Sequence, residues 1–325
     1  MKKLLTMLVA TGLGTAGCSS AQEEPAANQA NAAQAPANNA QAAANLPDAD
    51  PAMWVVKDGD TTIYLFGTFH MLDGRTAWFN DEVRQAFDEA QEVVFEVPMP
   101  GSEAEMMAAM QPLIMKYAVD TTGRRVSQDL SEEENRKLAA ALGELGAPAA
   151  MMDRFEPWFV SMSLTAVLGK RLGLNAQSGA ETVIQAAARA RNLPVSGVET
   201  IESQLQIFDN MPRAAQVAQL KETLESLDEM QGQLSDMQRV WNSGDAAGME
   251  RMMNEGLREH PDLRQAMLGN RNRKWAEWID QRLDRPGVVF MAVGAGHLVG
   301  PDSVQTFLRQ RNIRSERVPQ LTAGR

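Results

Sequence analysis

Two apolar stretches that end in the same short motif constrain the fold of this 325-residue chain more than any other feature. Residues 61–72 read TTIYLFGTFHML and residues 288–300 read VVFMAVGAGHLVG, so each apolar run leads into Gly-x-x-His. Runs of β-branched and aromatic residues bounded by glycine are typical of strands that are buried on both faces of a sheet. The pattern therefore predicts an α/β fold in which His70 and His297 each lie just beyond the end of a core strand.

The placement of these two histidines suggests a role for them. In open α/β sheets, ligands bind in the crevice beyond the carboxyl ends of the strands, and a neighbouring glycine lets a ligand approach the backbone closely. We expect His70 and His297 to meet in such a crevice. The alternative is that both are hydrogen-bonded at the edge of the core without a chemical role. The third histidine, His260, precedes Pro261 in a polar segment and is predicted to lie on the surface.

Two glutamates follow shorter predicted strands. Residues 92–98 read EVVFEVP and residues 193–199 read LPVSGVE, which places Glu96 and Glu199 at strand ends. A buried carboxylate is costly unless it is paired or bound to a metal. Glu96 is therefore predicted to have such a partner, unless it points into solvent. Glu199 can instead cap the helix that follows it, because a helix N-terminus favours negative charge.

Long segments with helical periodicity separate the predicted strands. They predict a central mixed sheet with flanking helices and large helical insertions. The apolar helix predicted over residues 159–174 is expected to pack against the sheet. Another predicted helix carries the basic run RNRK at residues 271–274, one of whose arginines can bind a carboxylate bidentately or face an anionic transition state. The alternative for this basic cluster is a solvated helix face.

The net charge of the chain narrows the range of partners. The formal charge is −11 and the sequence pI is near 4.9. Nucleic-acid binding depends on clustered lysines and arginines that neutralise phosphates. We therefore expect no nucleic-acid partner.

The first 50 residues are predicted to be a targeting segment and a tether. Residues 1–17 combine two early lysines with a short apolar run, as in a secretory signal peptide. Cys18, the only cysteine, follows Thr-Ala-Gly and resembles the lipid-bearing cysteine of bacterial lipoproteins; the alternative is an ordinary signal peptide. Residues 18–50 are rich in Ala, Asn and Gln and are expected to form a disordered linker. Residues 51–325 then form the folded domain, held at the periplasmic face of a bacterial membrane. Ser19, rather than aspartate, after the cysteine favours the outer membrane.

The motifs taken together resemble the TraB/GumN family, also called the TIKI superfamily. The resemblance covers residues 53–318 and lies in four stretches: Gly67-Thr68-Phe69-His70, Gly197-Val198-Glu199-Thr200-Ile201-Glu202-Ser203-Gln204, Arg271-Asn272 and Gly294-Ala295-Gly296-His297. Members with known activity are divalent-metal-dependent proteases, and related families include esterase-like hydrolases. The resemblance implies an α/β sheet with a helical insertion. It also implies a site built from His70, Glu96, Glu199, Arg271 and His297.

Three functions are compatible with that set of residues. The first is a metal-dependent hydrolase of peptides or small esters, in which His70, His297 and Glu96 bind Mn²⁺, Co²⁺ or Zn²⁺. In that reading the remaining glutamate, Glu199, acts as general base and Arg271 stabilises an oxyanion. The second is a non-catalytic binding protein for a peptide or a small extracellular signal. The third is a metal-free hydrolase. The sequence contains neither the Gly-x-Ser-x-Gly nor the His-Glu-x-x-His motif of the common serine hydrolases and zincins.

Overall fold

A mixed sheet forms the centre of the protein. The computed structural model describes residues 46–100, 102–144, 149–254 and 256–321. Within them the strands are β1 (Met53–Lys57), β2 (Thr61–Thr68), β3 (Glu92–Phe95), β4 (Val195–Gly197), β5 (Gly287–Gly294) and β6 (Ser315–Arg317). They form one six-stranded sheet in the order β4-β3-β5-β2-β1-β6. Strands β4, β3, β5 and β2 run parallel, whereas β1 is antiparallel to both β2 and β6.

Helices fill the connections between the strands. They are α1 (Asp81–Glu89), α2 (Glu103–Leu113), α3 (Glu132–Glu144), α4 (Ala149–Met152), α5 (Pro157–Arg171), α6 (Ala180–Ala190), α7 (Ile201–Asp209), α8 (Arg213–Glu225), α9 (Met230–Asn242), α10 (Ala246–Asn254), α11 (Pro261–Arg264), α12 (Asn270–Leu283) and α13 (Val304–Gln310). A π-helical turn, Gln265–Gly269, leads into α12, and a 3-10 turn, Ala295–Leu298, follows β5. None of the described helices is long and apolar enough to cross a membrane.

Both faces of the sheet are covered, because side chains alternate along the central strands. On one face Phe66 and Phe290, both 0% exposed, pack in a core that includes residues of α1, α6 and α9. On the other face Ile63 and Leu65 pack with Trp275 of α12. Burying one such large apolar side chain contributes roughly 1.5–3 kcal/mol. This two-sided burial is why the strands read as continuous apolar runs.

The helical insertions build additional cores away from the sheet. Trp158 at the start of α5 packs with residues of α7, and Leu164 packs with Leu220 and Leu224 of α8. Only the later part of α5, at Leu168, and the residue after it, Leu172, reach the core against the sheet. The expectation that this apolar helix packs against the sheet therefore holds for its end alone.

The predicted fold class is confirmed, since a mixed sheet is flanked by helices and interrupted by long helical insertions. The β1–β2 hairpin turns at Asp58, whose Oδ1 accepts hydrogen bonds from the amides of Asp60 and Thr61 at 3.1 and 2.8 Å. His260 is exposed, as predicted. The predicted signal peptide at residues 1–17, Cys18 and nearly all of the predicted linker at 18–50 lie outside the described residues, and the division at residue 51 stays a prediction.

Candidate functional site

The carboxyl ends of the four parallel strands carry the predicted site residues. Following the sheet order β4, β3, β5, β2, the side chains beyond the strand ends are Glu199, Glu96, His297 and His70. The strand ends are nearly level in the sheet: Thr68 is opposite Gly294, and Phe95 is opposite both Ala292 and Gly197. Parallel pairing thus brings residues that are distant in sequence to one edge of the sheet.

Arg271, in the first turn of α12, lies among three of these side chains. Its Nη2 donates to Glu96 Oε2 at 2.7 Å and to Glu199 Oε2 at 2.8 Å, while its Nε donates to Glu199 Oε1 at 2.8 Å. Its Nη1 lies 3.0 Å from Nε2 of His297. Arg271 is only 6% exposed. The arginine is therefore a buried cation between two carboxylates, with the bidentate geometry that makes such pairs strong.

Glu96 is the most enclosed carboxylate of this group. Its Oε1 accepts a hydrogen bond from the amide of Gly294 at 2.6 Å, and its Oε2 accepts one from Gln204 at 3.0 Å in addition to that from Arg271. Burial raises the pKa of Glu96, and the nearby charge of Glu199 raises it further, while Arg271 opposes the rise. The net effect is a pKa above that of an ordinary glutamate.

His297 is held as a neutral imidazole. Its Nδ1 lies 2.6 Å from Oδ1 of Asn272, whose Nδ2 donates to the carbonyl of Asp302 at 2.6 Å. Because the amide nitrogen faces a carbonyl, the amide oxygen faces the ring, and Nδ1 carries the proton. Burial lowers the pKa of His297 well below its usual value, and the charges of Arg271 and His70 lower it further. Nε2 therefore carries the ring's lone pair, which accepts a hydrogen bond from Nη1 of Arg271.

Trp275 closes the inner side of the site. Its indole Nε1 donates to Glu199 Oε1 at 2.9 Å, and its ring centroid lies 4.3 Å from that of His297. The guanidinium of Arg271 lies 5.0 Å from the centre of the indole ring. The tryptophan is 1% exposed. It therefore orients three site residues and excludes water from their inner side.

His70 is oriented by a buried glutamate from another element. Its Nδ1 lies 2.6 Å from Oε1 of Glu181, in the first turn of α6. The contact depends on Gly179, because a Cβ there would lie 2.0 Å from the carbonyl oxygen of His70. Burial alone would raise the pKa of Glu181, but the charge and hydrogen bond of His70, with the Thr68 hydroxyl, lower it overall. Glu181 is thus a carboxylate that fixes the orientation of the imidazole.

The three predicted metal ligands, His70, Glu96 and His297, have side chains that bind metals. Their spacing, however, fits a single ion only in part. His297 Nε2 lies 3.7 Å from Glu96 Oε1, a separation that one ion can bridge. His70 acts electrostatically on both Glu96 and His297. Its nitrogen does not, however, come within 4.8 Å of ligand atoms of both other residues. Both imidazoles are held through Nδ1 by an oxygen acceptor, which is the outer-shell arrangement common to metal-binding histidines.

A different group in the described part of the chain does have ligand atoms that all lie within 4.8 Å of one another. It consists of Asp48, Asp50 and Asp81. Burial and the neighbouring carboxylates raise the pKa of Asp50. Exposed carboxylates often lie this close without an ion. They are a useful control for any metal measurement.

The comparison with known proteins agrees with the motifs. The model of the TraB/PrgY/gumN family matches residues 52–317. The chain belongs to this family. It is similar to an uncharacterized protein of Treponema pallidum (strain Nichols), with 22% identity over 274 residues that cover 80% of each chain. It is also similar to uncharacterized protein YbaP of Escherichia coli (strain K12), with 23% identity over 259 residues that cover 80% of this chain and 92% of the relative. No solved structure matches it significantly.

Within this TraB/PrgY/gumN chain, the structure brings Glu96, Glu199, Arg271 and His297 into direct contact, with His70 close enough to act on two of them. The alternatives for three residues do not apply. Glu96 does not point into solvent and Arg271 is not on a solvated helix face. Glu199 does not cap α7, because Thr200 accepts the capping hydrogen bond from Ser203.

The sequence reasoning assigned no role to several side chains that complete the site. They are Glu181, Gln204, Asn272 and Trp275. A glutamate in the first turn of an amphipathic helix, as at Glu181, is the usual pattern for any helix, so nothing marked it. For Asn272 a signal was present, since it directly follows Arg271 in a basic helix where an uncharged amide stands out.

Proposed function

We propose that this TraB/PrgY/gumN protein is a metal-dependent hydrolase of peptide or ester bonds whose reaction centre is the group of residues at the four strand ends. The observation that carries the proposal is the orientation of the two histidines. Each has its Nδ1 held by an oxygen acceptor, Glu181 for His70 and Asn272 for His297, so that Nε2 is the nitrogen that would bind the metal. At His297 the metal would replace the hydrogen bond that Arg271 Nη1 donates to Nε2. With Glu96, they supply the nitrogen and oxygen donors preferred by Zn²⁺, Mn²⁺ or Co²⁺.

The remaining residues have distinct roles in this proposal. When bound, the divalent metal would supply activation of a water near neutral pH and polarisation of the scissile carbonyl. Glu96 is the carboxylate ligand in this proposal, and it is held in place by Gly294, Gln204 and Arg271. Glu199 accepts hydrogen bonds from Arg271, Trp275 and Gln204. We therefore assign Glu199 to positioning Arg271 rather than to the general-base role first expected of it.

Arg271 contributes a fixed positive charge next to the histidines. Its Nη1 faces His297 Nε2 at 3.0 Å. A preorganised donor aimed at developing negative charge typically stabilises a transition state by about 2.7–4 kcal/mol. Because the guanidinium is anchored by Glu199 and Glu96, it does not have to reorient during the reaction. Trp275 keeps water away from the inner side of this arrangement.

The proposal is tested by peptide cleavage. Purified protein is incubated with a mixture of unstructured peptides and short esters, with added Mn²⁺, Co²⁺ or Zn²⁺, and products are read by mass spectrometry. We expect products that disappear with chelator and that fall by roughly 10²–10⁴-fold in Glu96→Gln. Products that persist unchanged in Glu96→Gln would come from elsewhere and would contradict the proposal.

A second candidate is a metal-free hydrolase, and the pairing of His70 with Glu181 favours it. A histidine oriented by a buried carboxylate is the usual arrangement of a general base. This candidate predicts turnover that resists chelator and disappears in His70→Ala. Saturable binding of a peptide without any product would instead favour a binding protein.

Glu181 offers a prediction that needs no substrate. Replacing Glu181 with glutamine removes the charge that holds His70 Nδ1, so the affinity for metal is expected to fall by about 10–100-fold. Titration with Zn²⁺ or Co²⁺ followed by calorimetry measures it. The matched control is Glu132→Gln, an exposed glutamate in the first turn of α3, which should leave the affinity unchanged. Equal affinities in both variants would show that Glu181 does not support a ligand.

We also propose that Cys18 carries a lipid that anchors the protein at the periplasmic side of the outer membrane. Cys18→Ser is then expected to move the protein from the membrane fraction to the soluble fraction, because the anchor is lost. Ser19→Asp should keep it in membranes but shift it to the inner membrane. Fractionation of cells expressing each variant, followed by immunoblotting, measures both effects. Membrane association that survives Cys18→Ser would contradict the anchor.

A further inference from the structure

The two glutamates of the strand-end site differ in how completely their oxygens are hydrogen-bonded. A carboxylate has about four acceptor positions, two on each oxygen. Oε1 of Glu199 accepts from Nε of Arg271 at 2.8 Å and from the indole of Trp275 at 2.9 Å. Its Oε2 accepts from Nη2 of Arg271 at 2.8 Å and from Gln204 at 3.1 Å. Every acceptor position of Glu199 is therefore occupied.

Glu96 keeps one acceptor position open. Its Oε2 accepts from Arg271 at 2.7 Å and from Gln204 at 3.0 Å. Its Oε1 accepts from one donor among the described residues, the amide of Gly294 at 2.6 Å. The same Oε1 lies 3.7 Å from Nε2 of His297, which is too long for a hydrogen bond but can be bridged by an ion. Oε1 of Glu96 is therefore the oxygen of this pair that can bind a metal without giving up a hydrogen bond.

Gln204 occupies the oxygens on the other side of the pair. It lies near the start of α7 and is 5% exposed. Its Nε2 donates to Oε2 of Glu96 and to Oε2 of Glu199, the same two atoms that Nη2 of Arg271 contacts. Because both of these atoms are acceptors, the nitrogen of the amide has to face them. The amide thus ties the two carboxylates together through their Oε2 atoms.

An uncharged donor suits this position. Lysine or arginine at residue 204 could satisfy the same oxygens, but its positive charge would repel a divalent cation bound a few ångströms away. The amide of Gln204 supplies N–H groups without adding that charge. It therefore holds the carboxylates and leaves the site open to a cation.

We propose that Gln204 is a positioning residue, which fixes the Oε2 atoms of Glu96 and Glu199 and thereby makes Oε1 of Glu96 the oxygen that binds the metal. The proposal rests on the proposed metal-dependent function, because the role of Oε1 requires a bound metal. Gln204 acts through the two carboxylates and does not itself bind the ion.

The first test is the affinity of the full-length protein for Zn²⁺ or Co²⁺, measured by calorimetric titration. Gln204→Met nearly keeps the size of the side chain but removes both N–H donors, so the affinity should fall by about 10–100-fold, as when a partner of a ligand is lost. The matched control is Gln206→Met, the same change in the same helix. Gln206 is exposed and donates to the hydroxyl of Tyr117 at 2.9 Å, so its replacement should leave the affinity unchanged.

The second test needs no metal. The indole N–H of Trp275 donates to Oε1 of Glu199, whereas Gln204 holds Oε2 of the same carboxylate. If Gln204 fixes that carboxylate, Gln204→Met should move the indole N–H signal of Trp275 in the nitrogen–proton NMR spectrum of the metal-free protein. Trp275→Phe identifies the signal. Gln206→Met should leave it in place, as would any loss of packing that does not move the carboxylate.

The outcomes separate this proposal from the proposed function. An unchanged affinity or an unmoved indole signal in Gln204→Met overturns the positioning role. Circular dichroism checks that the variants fold; if Gln204→Met does not, Gln204→Asn carries the same two predictions, because its amide is one methylene too short to reach both carboxylates. Failure of the unmodified protein to bind metal overturns the proposed function and the role of Oε1 with it, and the indole signal still decides whether Gln204 positions the carboxylates.

Discussion

Replacing Arg271 with methionine is expected to lower the free energy of unfolding by about 3–5 kcal/mol at neutral pH, as for other buried ion pairs that lose one partner. Arg271 is the cation that faces both Glu96 and Glu199. Methionine fills part of the same volume but leaves two carboxylates close together without a compensating charge. The cost therefore comes from the charges left behind more than from lost packing. Urea unfolding followed by circular dichroism measures it.

The pH dependence of this variant has a defined sign. Burial already raises the pKa of Glu96 in the folded protein, and Arg271 lowers it; without the arginine the folded-state pKa rises further. A carboxyl whose pKa is higher in the folded state than in the unfolded state binds its proton more tightly when folded, so stability falls as pH rises through the folded pKa. Arg271→Met should thus regain part of its stability when the pH is lowered from about 8 to about 5.

Two controls separate this effect from general damage. Lys274→Met changes an exposed residue of the same helix and should cost less than about 0.5 kcal/mol. The double variant Glu96→Gln with Arg271→Met lacks one of the two carboxylates that the arginine compensates. Its loss of unfolding free energy should therefore be smaller than the sum of the losses in the two single variants. A pH-independent loss that adds fully with Glu96→Gln would show that Arg271 acts only through packing.

Truncation of Trp275 to alanine is the second substitution with a large expected effect. It should lower the free energy of unfolding by about 3–5 kcal/mol. The side chain is buried against the sheet core, and it also donates to Glu199 and stacks against His297. Trp275→Phe keeps most of the aromatic volume and removes the indole N–H, so it should cost only about 1–2 kcal/mol. Thermal and urea unfolding of the two variants separate the packing contribution from the hydrogen bond.

Trp278, three residues further along α12, is the matched control. It is partly buried and lies at the margin of the same core. Trp278→Ala should cost about 1 kcal/mol, the typical value for a single substitution. Equal losses of unfolding free energy in Trp275→Ala and Trp278→Ala would contradict the central position given to Trp275.

The central strands could be predicted from the sequence because their burial on both faces leaves a plain signal. Residues such as Phe66 and Met291 are apolar on opposite faces of the sheet, so the runs are continuous rather than alternating. The positions of His70, Glu96, Glu199 and His297 at one edge follow from a general property of parallel sheets. Parallel pairing of β2 with β5 could not be read from either segment alone, since it depends on the helices between them.

What the sequence did not indicate depends on how helices pack in three dimensions. Glu181 reaches His70 only because residue 179 is glycine. A Cβ at that position would clash with the carbonyl oxygen of His70 and would hold the start of α6 farther from residue 70. The helical insertion was expected on the sheet, yet most of α5 packs on α8, because an apolar helix face does not specify its partner. The sequence predicted which residues belong to the site. It did not predict their hydrogen-bond partners, because those depend on the three-dimensional fold.

The measurement that tests the central claim most directly is the metal content of the chain from residue 46 onward, purified without chelator. It is compared with His70→Ala and His297→Ala, checked for folding by circular dichroism, and with Asp81→Asn as a control for the aspartate group. We predict about one transition metal ion per chain, as in mononuclear catalytic sites, lost in both histidine variants and retained in Asp81→Asn. Absence of metal after incubation with Mn²⁺, Co²⁺ or Zn²⁺, or metal that only Asp81→Asn removes, would contradict the account.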